Sequence, residues 1–280
     1  MPRGCPVCIY HFPCADGFTA AWGVWKRFGE GFEYIPMNYG EPIPEGLDGR
    51  DVYLVDFSFK RPVLKELAAK ANFVVIIDHH KTAVEDLAGL EDELENVHVV
   101  FDMERSGAMM AWNYFHGYED VPKLVEYVQD RDLWLKKLPF CDEAAAYVFA
   151  HDYRFEVWDG LRDDFENKFS NVMTGGSFIL KKQRKDIQEL LKASTRYGVI
   201  GGVEVLIANL PYTMSSEGAS ILAIGTPFGA CYFDKKDHRM WSLRSAEDGA
   251  DVSAIAAQYG GGGHKHAAGF QSALDWCGDE

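Results

Sequence analysis

The sequence lacks any apolar run that approaches the roughly 20 residues needed to cross a bilayer. The opening residues, Met1 to Cys5, are followed by no apolar block with a small-residue cleavage site of the kind found in signal peptides. Both absences predict a cytoplasmic protein with no membrane partner.

Cysteine is scarce, with six residues scattered through a chain of 280. This usage is typical of reduced thiols and excludes a disulfide framework. Cys5 and Cys8 have the spacing of a redox or zinc half-site, but no second such pair follows, and Cys8 falls where a first strand is expected. We interpret this pair as structural.

Positive charge is also limited: 28 basic residues stand against 43 acidic ones, and the formal net charge is −15. Such a chain has no general electrostatic footprint for long duplex nucleic acid or for an anionic membrane. A small anionic substrate, held by a metal ion and a few local cations, remains compatible with this charge.

The sequence also has no internal repeat and no low-complexity tract; its first half instead alternates apolar strands with helical patterns. Strands are predicted near 7–12, 52–57 and 73–78, with helices at 17–28 and 62–71 between them. Two further helices are expected near 106–115 and 122–130. This βαβαβ order predicts a Rossmann-like parallel sheet covered by helices.

A long helical segment near 175–196 then leads to a second, smaller α/β region. Its predicted elements are a strand at 203–208, a helix from near Ser216, strands at 228–233 and 240–244, and a helix at 251–259 with Asp251 as its N-cap. The predicted organisation is therefore a domain over 1–174, a connector helix over 175–198 and a domain over 199–280.

Acidic side chains follow three of the predicted strands. Asp16, Asp56 and the tripeptide Asp78-His79-His80 each lie at or just beyond a strand end. Ligands collect at the carboxyl ends of parallel strands, so three turns are expected to converge on one crevice. A single Asp at such a position could instead cap the next helix. Several carboxylates that close repel one another unless a divalent cation neutralises them.

These residues, together with the stretch from His11 to Gly17 and the run from Gly260 to His264, resemble the DHH family of metal-dependent phosphoesterases and its associated C-terminal domain. The resemblance spans nearly the whole chain. It implies one Mn²⁺ or Mg²⁺ site, with Asp16, Asp78 and His80 in or beside the catalytic centre. The implied metal ligands are Asp16, Asp56, His79 and a later Asp, for which Asp132 is the first choice and Asp130 the second.

The chain departs from the family pattern at the second metal. There the resemblance places Phe12 and Cys14 where a His and an Asp are usual. A thiolate is a soft ligand that suits manganese or magnesium badly. We therefore expect a second site that is absent, weak or rebuilt with His11, which is equally readable as an ordinary strand-end histidine.

The C-terminal motif resembles the part of the family that binds the phosphate end of a substrate. It implies contacts from the glycine-rich run and its continuation, from a strand-end Arg-Ser pair and from one earlier arginine: Gly262, Gly263, His264, His266, Arg244, Ser245 and Arg105. Glycines let backbone N–H groups approach an anion, and arginine suits bidentate phosphate binding. Alternatively, the glycine run is only a flexible end of the preceding helix, and the arginines are ordinary surface residues.

The predicted function is hydrolysis of short nucleotide phosphodiesters, either oligonucleotides of a few residues or linear or cyclic dinucleotides. The expected site is a cleft between the two predicted domains. One alternative is a polyphosphate or pyrophosphate phosphatase, and another is a degenerate module that binds a nucleotide without turnover. The sequence leaves the base preference and the oligomeric state open, with a homodimer among the possibilities.

Overall fold

The computed structural model describes residues 4–118 and 120–279. The chain divides into two compact units, of which the first ends at Leu180 and the second begins at Lys181. Within the described residues, no helix combines the length and apolar character required to cross a membrane.

A five-stranded parallel sheet forms the centre of the first unit. Its strands are β1 (Val7–His11), β2 (Glu33–Met37), β3 (Asp51–Val55), β4 (Phe73–Asp78) and β5 (Val97–Phe101). They lie in the order β2-β1-β3-β4-β5. The direction of winding reverses between β1 and β3, and this switch point is where ligands bind in open α/β sheets.

Among the described residues, nine α-helices belong wholly or partly to this unit. They are α1 (Ala15–Phe28), α2 (Arg61–Lys70), α3 (Lys81–Leu87), α4 (Leu90–Glu93), α5 (Gly107–His116), α6 (Lys123–Asp132), α7 (Cys141–Phe149), α8 (Phe155–Asn167) and α9 (Phe169–Ser194). Helix α9 continues past Leu180 into the second unit.

Alternate residues of the central strands face two separate cores. Cys8 and Ile77 pack with Trp22, Trp112 and Trp158 on one face. The other face packs against α2, whose residues Leu64 and Leu67 are fully buried. Strands covered on both sides carry continuous apolar runs. For this reason the three central strands were predictable from the sequence, and they are confirmed.

The two strands at the edges of the sheet were missed. Strand β2 contains Pro36 and exposed Glu33, and β5 contains exposed His98, so neither has a continuous apolar run. Proline is tolerated at a sheet edge because one side of that strand needs no partner. The helices near 17–28, 62–71, 106–115 and 122–130 are confirmed with small shifts, whereas α3, α4, α7 and α8 were not predicted.

The second unit contains a six-stranded mixed sheet and two further helices. Its elements are β6 (Arg196–Ile200), β7 (Val203–Asn209), α10 (Tyr212–Leu222), β8 (Gly229–Asp234), β9 (Arg239–Arg244), α11 (Val252–Ala257), β10 (Gly262–His264) and β11 (Ala267–Ser272). The strands lie in the order β10-β11-β9-β8-β7-β6. Only β7 and β8 are parallel neighbours among the described pairs.

Three predictions for this unit have clear outcomes. Asp251 is the N-cap of α11, because its carboxylate accepts the backbone N–H groups of Ser253 and Ala254. The prediction that a helix begins near Ser216 is wrong: α10 begins at Tyr212, after Pro211. The glycine run also continues into strand β10. The predicted class, a parallel α/β domain and a smaller α/β domain with a long helix between them, is confirmed.

Candidate metal centre

The strand ends of the first unit place the candidate ligands. His11 is the last residue of β1, Asp56 follows β3 directly, and Asp78 ends β4. Because these three strands are parallel neighbours, their carboxyl ends share one edge of the sheet. Asp16, in the first turn of α1, and Asp132, the last residue of α6, complete the set.

His79 lies at the centre of this cluster. Its Nε2 atom is 3.1 Å from Asp56 Oδ1, 3.7 Å from Asp16 Oδ2 and 3.6 Å from Asp132 Oδ2. Burial tends to lower the pKa of His79, but the hydrogen bond to Asp56 and the charges of the carboxylates outweigh it and raise the pKa to about 9. Carboxylate oxygens of three aspartates thus surround one ring nitrogen.

Asp56 holds the middle of the cluster by backbone geometry as well as by its charge. Its φ of 53° lies in the left-handed region, which non-glycine residues rarely adopt. A Cβ atom at Gly107 would lie 2.4 Å from the Cβ of Asp56, so only glycine fits there. Burial favours the neutral acid, but hydrogen bonds with His11 and His79 lower the Asp56 pKa to about 2.

Asp16 has two roles. Its carboxylate accepts the backbone N–H groups of Gly107 at 2.6 Å and Ala108 at 3.0 Å, at the start of α5. These bonds join Asp16 to the start of α5, which is not the next helix that the capping alternative considered. Burial, followed by the charges of Asp56 and Asp132, raises the pKa of Asp16 well above its usual value.

The same crowding raises the pKa of Asp132, through burial and then through the charge of Asp56. Asp16, His79 and Asp132 each offer one ligand atom within 4.8 Å of the others, as do Asp56, His79 and His80. Asp16 and Asp56 are buried and Asp132 is exposed, and three carboxylates this close resist joint ionisation unless a cation is present. These residues therefore fit a divalent cation.

Asp130, the second choice for the later Asp, has a different task. Its carboxylate is buried and accepts the backbone N–H groups of Lys137 at 2.9 Å and Leu138 at 3.1 Å. These bonds fold the chain back after α6. Asp132, two residues later, is the side chain that the structure brings to His79.

Asp78 orients His80. Asp78 Oδ1 accepts the backbone N–H groups of His79 and His80 and lies 2.7 Å from His80 Nδ1. This hydrogen bond is the main reason that the pKa of His80 is raised. Asp78 Oδ2 is buried and has no hydrogen-bond partner among the described groups. An orphaned carboxylate oxygen beside the cluster is further evidence that the site suits a cation.

A second group lies on the other side of Asp56. One ligand atom from each of His11, Cys14 and Asp56 lies within 4.8 Å of the others. Burial, then the charges of Asp56 and Asp16, raise the pKa of the Cys14 thiol. Phe12 is turned away, with its ring packed edge-on against Tyr10 and Tyr153.

Tyr39, in the turn after β2, was missed by the sequence analysis. Its ring lies 5.0 Å from that of His11 and 6.1 Å from that of His80, and half of the residue is exposed. A cavity of about 180 Å³ also adjoins the cluster, lined by Cys14, Asp16 and Asp132 together with apolar side chains. Tyr39 could have been found from the sequence if β2 had been predicted, because a tyrosine just after a strand end would then have been a candidate site residue.

Arg105 has contacts of another kind. Its Nε lies 3.4 Å from a carboxylate oxygen of Asp102, and its guanidinium stands over the ring of Tyr118 at 5.3 Å. None of its described contacts joins it to the metal-ligand cluster.

In the second unit, several predicted phosphate-binding residues lie together. Arg244 is paired in register with Ala267, and Ser245 Oγ is 2.9 Å from His266 Nδ1. Arg244 donates from Nε to Ser216 Oγ at 3.1 Å and from Nη1 to the Leu243 carbonyl at 2.8 Å.

The neighbouring β10 strand carries Gly262, Gly263 and His264, all exposed. Gly263 has a φ of 145°, and a Cβ there would lie 2.5 Å from the Ala267 carbonyl oxygen. Glycine is therefore required at this position by the hairpin itself.

No protein-family model matches the chain. An uncharacterized protein of Acanthamoeba polyphaga mimivirus is 33% identical over 289 residues, and the alignment covers 94% of this chain but 66% of that protein. The chain therefore spans just under two thirds of that relative.

Solved structures are similar at lower identity. An exopolyphosphatase-related protein from Bacteroides fragilis has a TM-score of 0.53 at 13% identity, over 99% of this chain and 89% of its own. Exonuclease RecJ bound to manganese has a TM-score of 0.46 at 15% identity, over 96% and 85%. A pGpG-specific phosphodiesterase from Vibrio has a TM-score of 0.44 at 11% identity, over 97% and 94%. The Bacteroides fragilis protein, with its TM-score above 0.5, shares the fold of this chain.

Proposed function

We propose that the chain is a metal-dependent phosphodiesterase of the DHH type that hydrolyses short nucleotide phosphodiesters. The observation that carries this proposal is the position of His79 Nε2, within 4 Å of carboxylate oxygens from Asp16, Asp56 and Asp132. Oxygen and imidazole ligands suit Mn²⁺ or Mg²⁺. A bound cation of this kind polarises a phosphoryl oxygen and lowers the pKa of water.

The remaining residues have separate roles in the proposal. Asp78 holds His80 through Nδ1, so the Nε2 atom of His80 is the one left to exchange a proton with substrate or water. Arg244, Ser245 and His266 of the second unit would bind a second phosphate, as the arginine fork suits a phosphate anion. We propose Gly262, Gly263 and His264 as further contacts to that phosphate.

Two other functions are tested beside this one. A polyphosphate phosphatase is the first, since the Bacteroides fragilis protein of similar fold is described as exopolyphosphatase-related. The net charge of −15 argues against a long polyanion. The second is a nucleotide-binding module without turnover, which the presence of Cys14 beside Asp56 favours.

The test is a hydrolysis panel with Mn²⁺, Mg²⁺ or no metal. Its substrates are a linear dinucleotide, a cyclic dinucleotide, inorganic polyphosphate and a chromogenic phosphodiester. We expect metal-dependent cleavage of a dinucleotide, abolished in Asp56→Asn and retained in the surface control Asp237→Asn. Cleavage of polyphosphate alone, or tight nucleotide binding with no cleavage under any metal, would replace this proposal by the corresponding alternative.

A further inference from the structure

The group on the far side of Asp56 has an unusual set of donor atoms. His11 offers a ring nitrogen, Cys14 a sulfur and Asp56 a carboxylate oxygen, all within 4.8 Å of one another. His11 Nδ1 is 3.6 Å from Asp56 Oδ2. Gly17 lets helix α1 pass close to His11 and Asp56, because a Cβ at this position would lie 2.9 Å from the His11 Cβ and 3.0 Å from Asp56 Oδ2.

The two oxygens of Asp56 face different neighbours. Oδ1 lies 3.1 Å from His79 Nε2, in the oxygen-rich cluster. Oδ2 lies on the side of His11. One carboxylate is therefore placed to touch two cations, one in each group. Asp56 is fully buried, so its orientation is set by packing and by these hydrogen bonds.

The two groups differ in ligand softness. The cluster of Asp16, His79 and Asp132 is dominated by carboxylate oxygens, which suit hard cations such as Mn²⁺ and Mg²⁺. A set of one nitrogen, one sulfur and one oxygen suits Zn²⁺, which binds Cys, His and Asp in tetrahedral sites. Three protein ligands also leave the fourth tetrahedral position open.

A purely structural role for Cys14 explains its surroundings less well than a metal-binding role does. Cys14 is half-buried and has no disulfide partner among the described cysteines. Cys8 and Cys231, by contrast, are fully buried in apolar cores. A second Mn²⁺ or Mg²⁺, which the family resemblance implies at this position, does not fit a thiolate ligand.

We propose that His11, Cys14 and Asp56 form a second metal site that selects a thiophilic divalent cation, Zn²⁺ above all, over Mn²⁺ and Mg²⁺. On binding, the Cys14 S–H bond breaks, the proton passes to solvent, and the sulfur donates its electron pair to the cation. With this site, the proposed catalytic centre would hold two different cations, and Asp56 would bridge them. The pairing of the two cations rests on the proposed function.

The test uses Co²⁺ as a spectroscopic probe of the full chain, because a thiolate–Co²⁺ bond gives a charge-transfer band in the near ultraviolet. We expect this band in the native protein and in the control Cys5→Ser, which removes an exposed thiol. We expect no band in Cys14→Ser, and displacement of Co²⁺ by Zn²⁺ but not by Mg²⁺. Loss of one of three ligands should weaken Zn²⁺ binding on the order of a hundredfold.

Cys14→Asp supplies a second readout that does not depend on loss of binding. A hard ligand at this position should lower the preference for Zn²⁺ over Mn²⁺ by at least about tenfold, measured by competition calorimetry. Circular dichroism confirms that each variant is folded. Absence of the band in the native protein, its persistence in Cys14→Ser, or an unchanged preference in Cys14→Asp would overturn the proposal.

The metal readouts are independent of hydrolysis. A thiolate band without cleavage of any substrate in the panel leaves this site standing and removes the proposed function. Cleavage with Mn²⁺ but without a thiolate band does the reverse.

Discussion

The candidate metal ligands of the first unit and the candidate phosphate-binding residues of the second unit differ in how far other protein groups satisfy their charges and hydrogen bonds. At the edge of the parallel sheet, the pKa values of Asp16 and Asp132 are raised, and Asp78 Oδ2 has no hydrogen-bond partner among the described groups. In the second unit, Arg244 bonds Ser216 and Ser245 bonds His266. The carboxylates of the first group therefore favour a cation, whereas side chains of the second group are hydrogen-bonded to one another.

The physical cause is the cost of burying like charges. Moving an ionised carboxylate out of water costs several kcal/mol unless it is paired. Asp56 and Asp16 are both almost completely buried; histidines lower the pKa of Asp56 to about 2, whereas burial keeps the pKa of Asp16 raised. The comparison therefore predicts that changes in the first unit alter metal binding and catalysis together, and that changes in the second unit alter substrate affinity alone.

The largest expected effect is that of removing the central nitrogen. His79→Ala leaves three carboxylates without their common partner, so we expect loss of both tight metal binding and hydrolysis. The neighbouring change His80→Ala should lower turnover while metal uptake stays largely intact, because His80 Nδ1 is engaged by Asp78 at 2.7 Å and lies 4.0 Å from Asp56 Oδ1. Metal stoichiometry by elemental analysis, with turnover measured in parallel, checks both. Retention of the metal by His79→Ala with its loss in His80→Ala would exchange the two roles.

The next effect is the pH dependence of metal binding. With a pKa of about 9, His79 is protonated near neutral pH in the metal-free protein and must lose that proton to become a ligand. The metal-free state thus holds more protons than the bound state, so affinity should rise with pH, by roughly tenfold per unit up to about pH 9. Calorimetry in two buffers of different ionisation enthalpy should show proton release. A flat affinity between about pH 7 and 9 would contradict the assignment.

Arg244 tests the second unit. Arg244→Ala should weaken binding of a nucleotide with a free terminal phosphate by roughly ten- to hundredfold, since a charge-assisted bidentate contact contributes about 1.5–3 kcal/mol. Metal affinity should not change. A small chromogenic diester, which has no second phosphate, should lose much less. Equal losses for both substrates would place Arg244 at the scissile phosphate or in a purely structural role.

Much of the clustering at the candidate metal centre could be predicted because its residues lie next to buried strands. Apolar runs end at Tyr10, Val55 and Ile77, and each is followed directly by a polar residue: His11, Asp56 and Asp78. The capping of α5 by Asp16 could not be predicted, since its partner Gly107 lies 91 residues away. The approach of Asp132 to His79, at 3.6 Å, likewise joins residues distant in sequence.

Elements at the sheet edges were the main failures, and they hid functional candidates. Strand β2 is half-exposed and contains Pro36, so its pattern resembled a loop. Without β2, nothing placed Tyr39 beside His11. Likewise, the strand at Gly262 and Gly263 was not predicted, because glycine weakens strand patterns. Their pairing with β11 is set by tertiary contacts rather than by local propensity.

The smallest expected effect separates the two roles of glycine in the β10 strand. An added Cβ at Gly262 meets no atom within 4 Å, whereas at Gly263 it would meet the Ala267 carbonyl oxygen at 2.5 Å. Gly263→Ala should therefore destabilise the hairpin by about 1–3 kcal/mol, visible as a lower unfolding temperature. Gly262→Ala should leave unfolding unchanged and weaken nucleotide binding by a few fold, because a methyl group keeps the anion from the backbone N–H. Titration calorimetry with a dinucleotide measures this loss. An unchanged affinity in a stable Gly262→Ala variant would mean that the strand serves the fold alone, and that phosphate contacts in this unit rest on Arg244 and its neighbours.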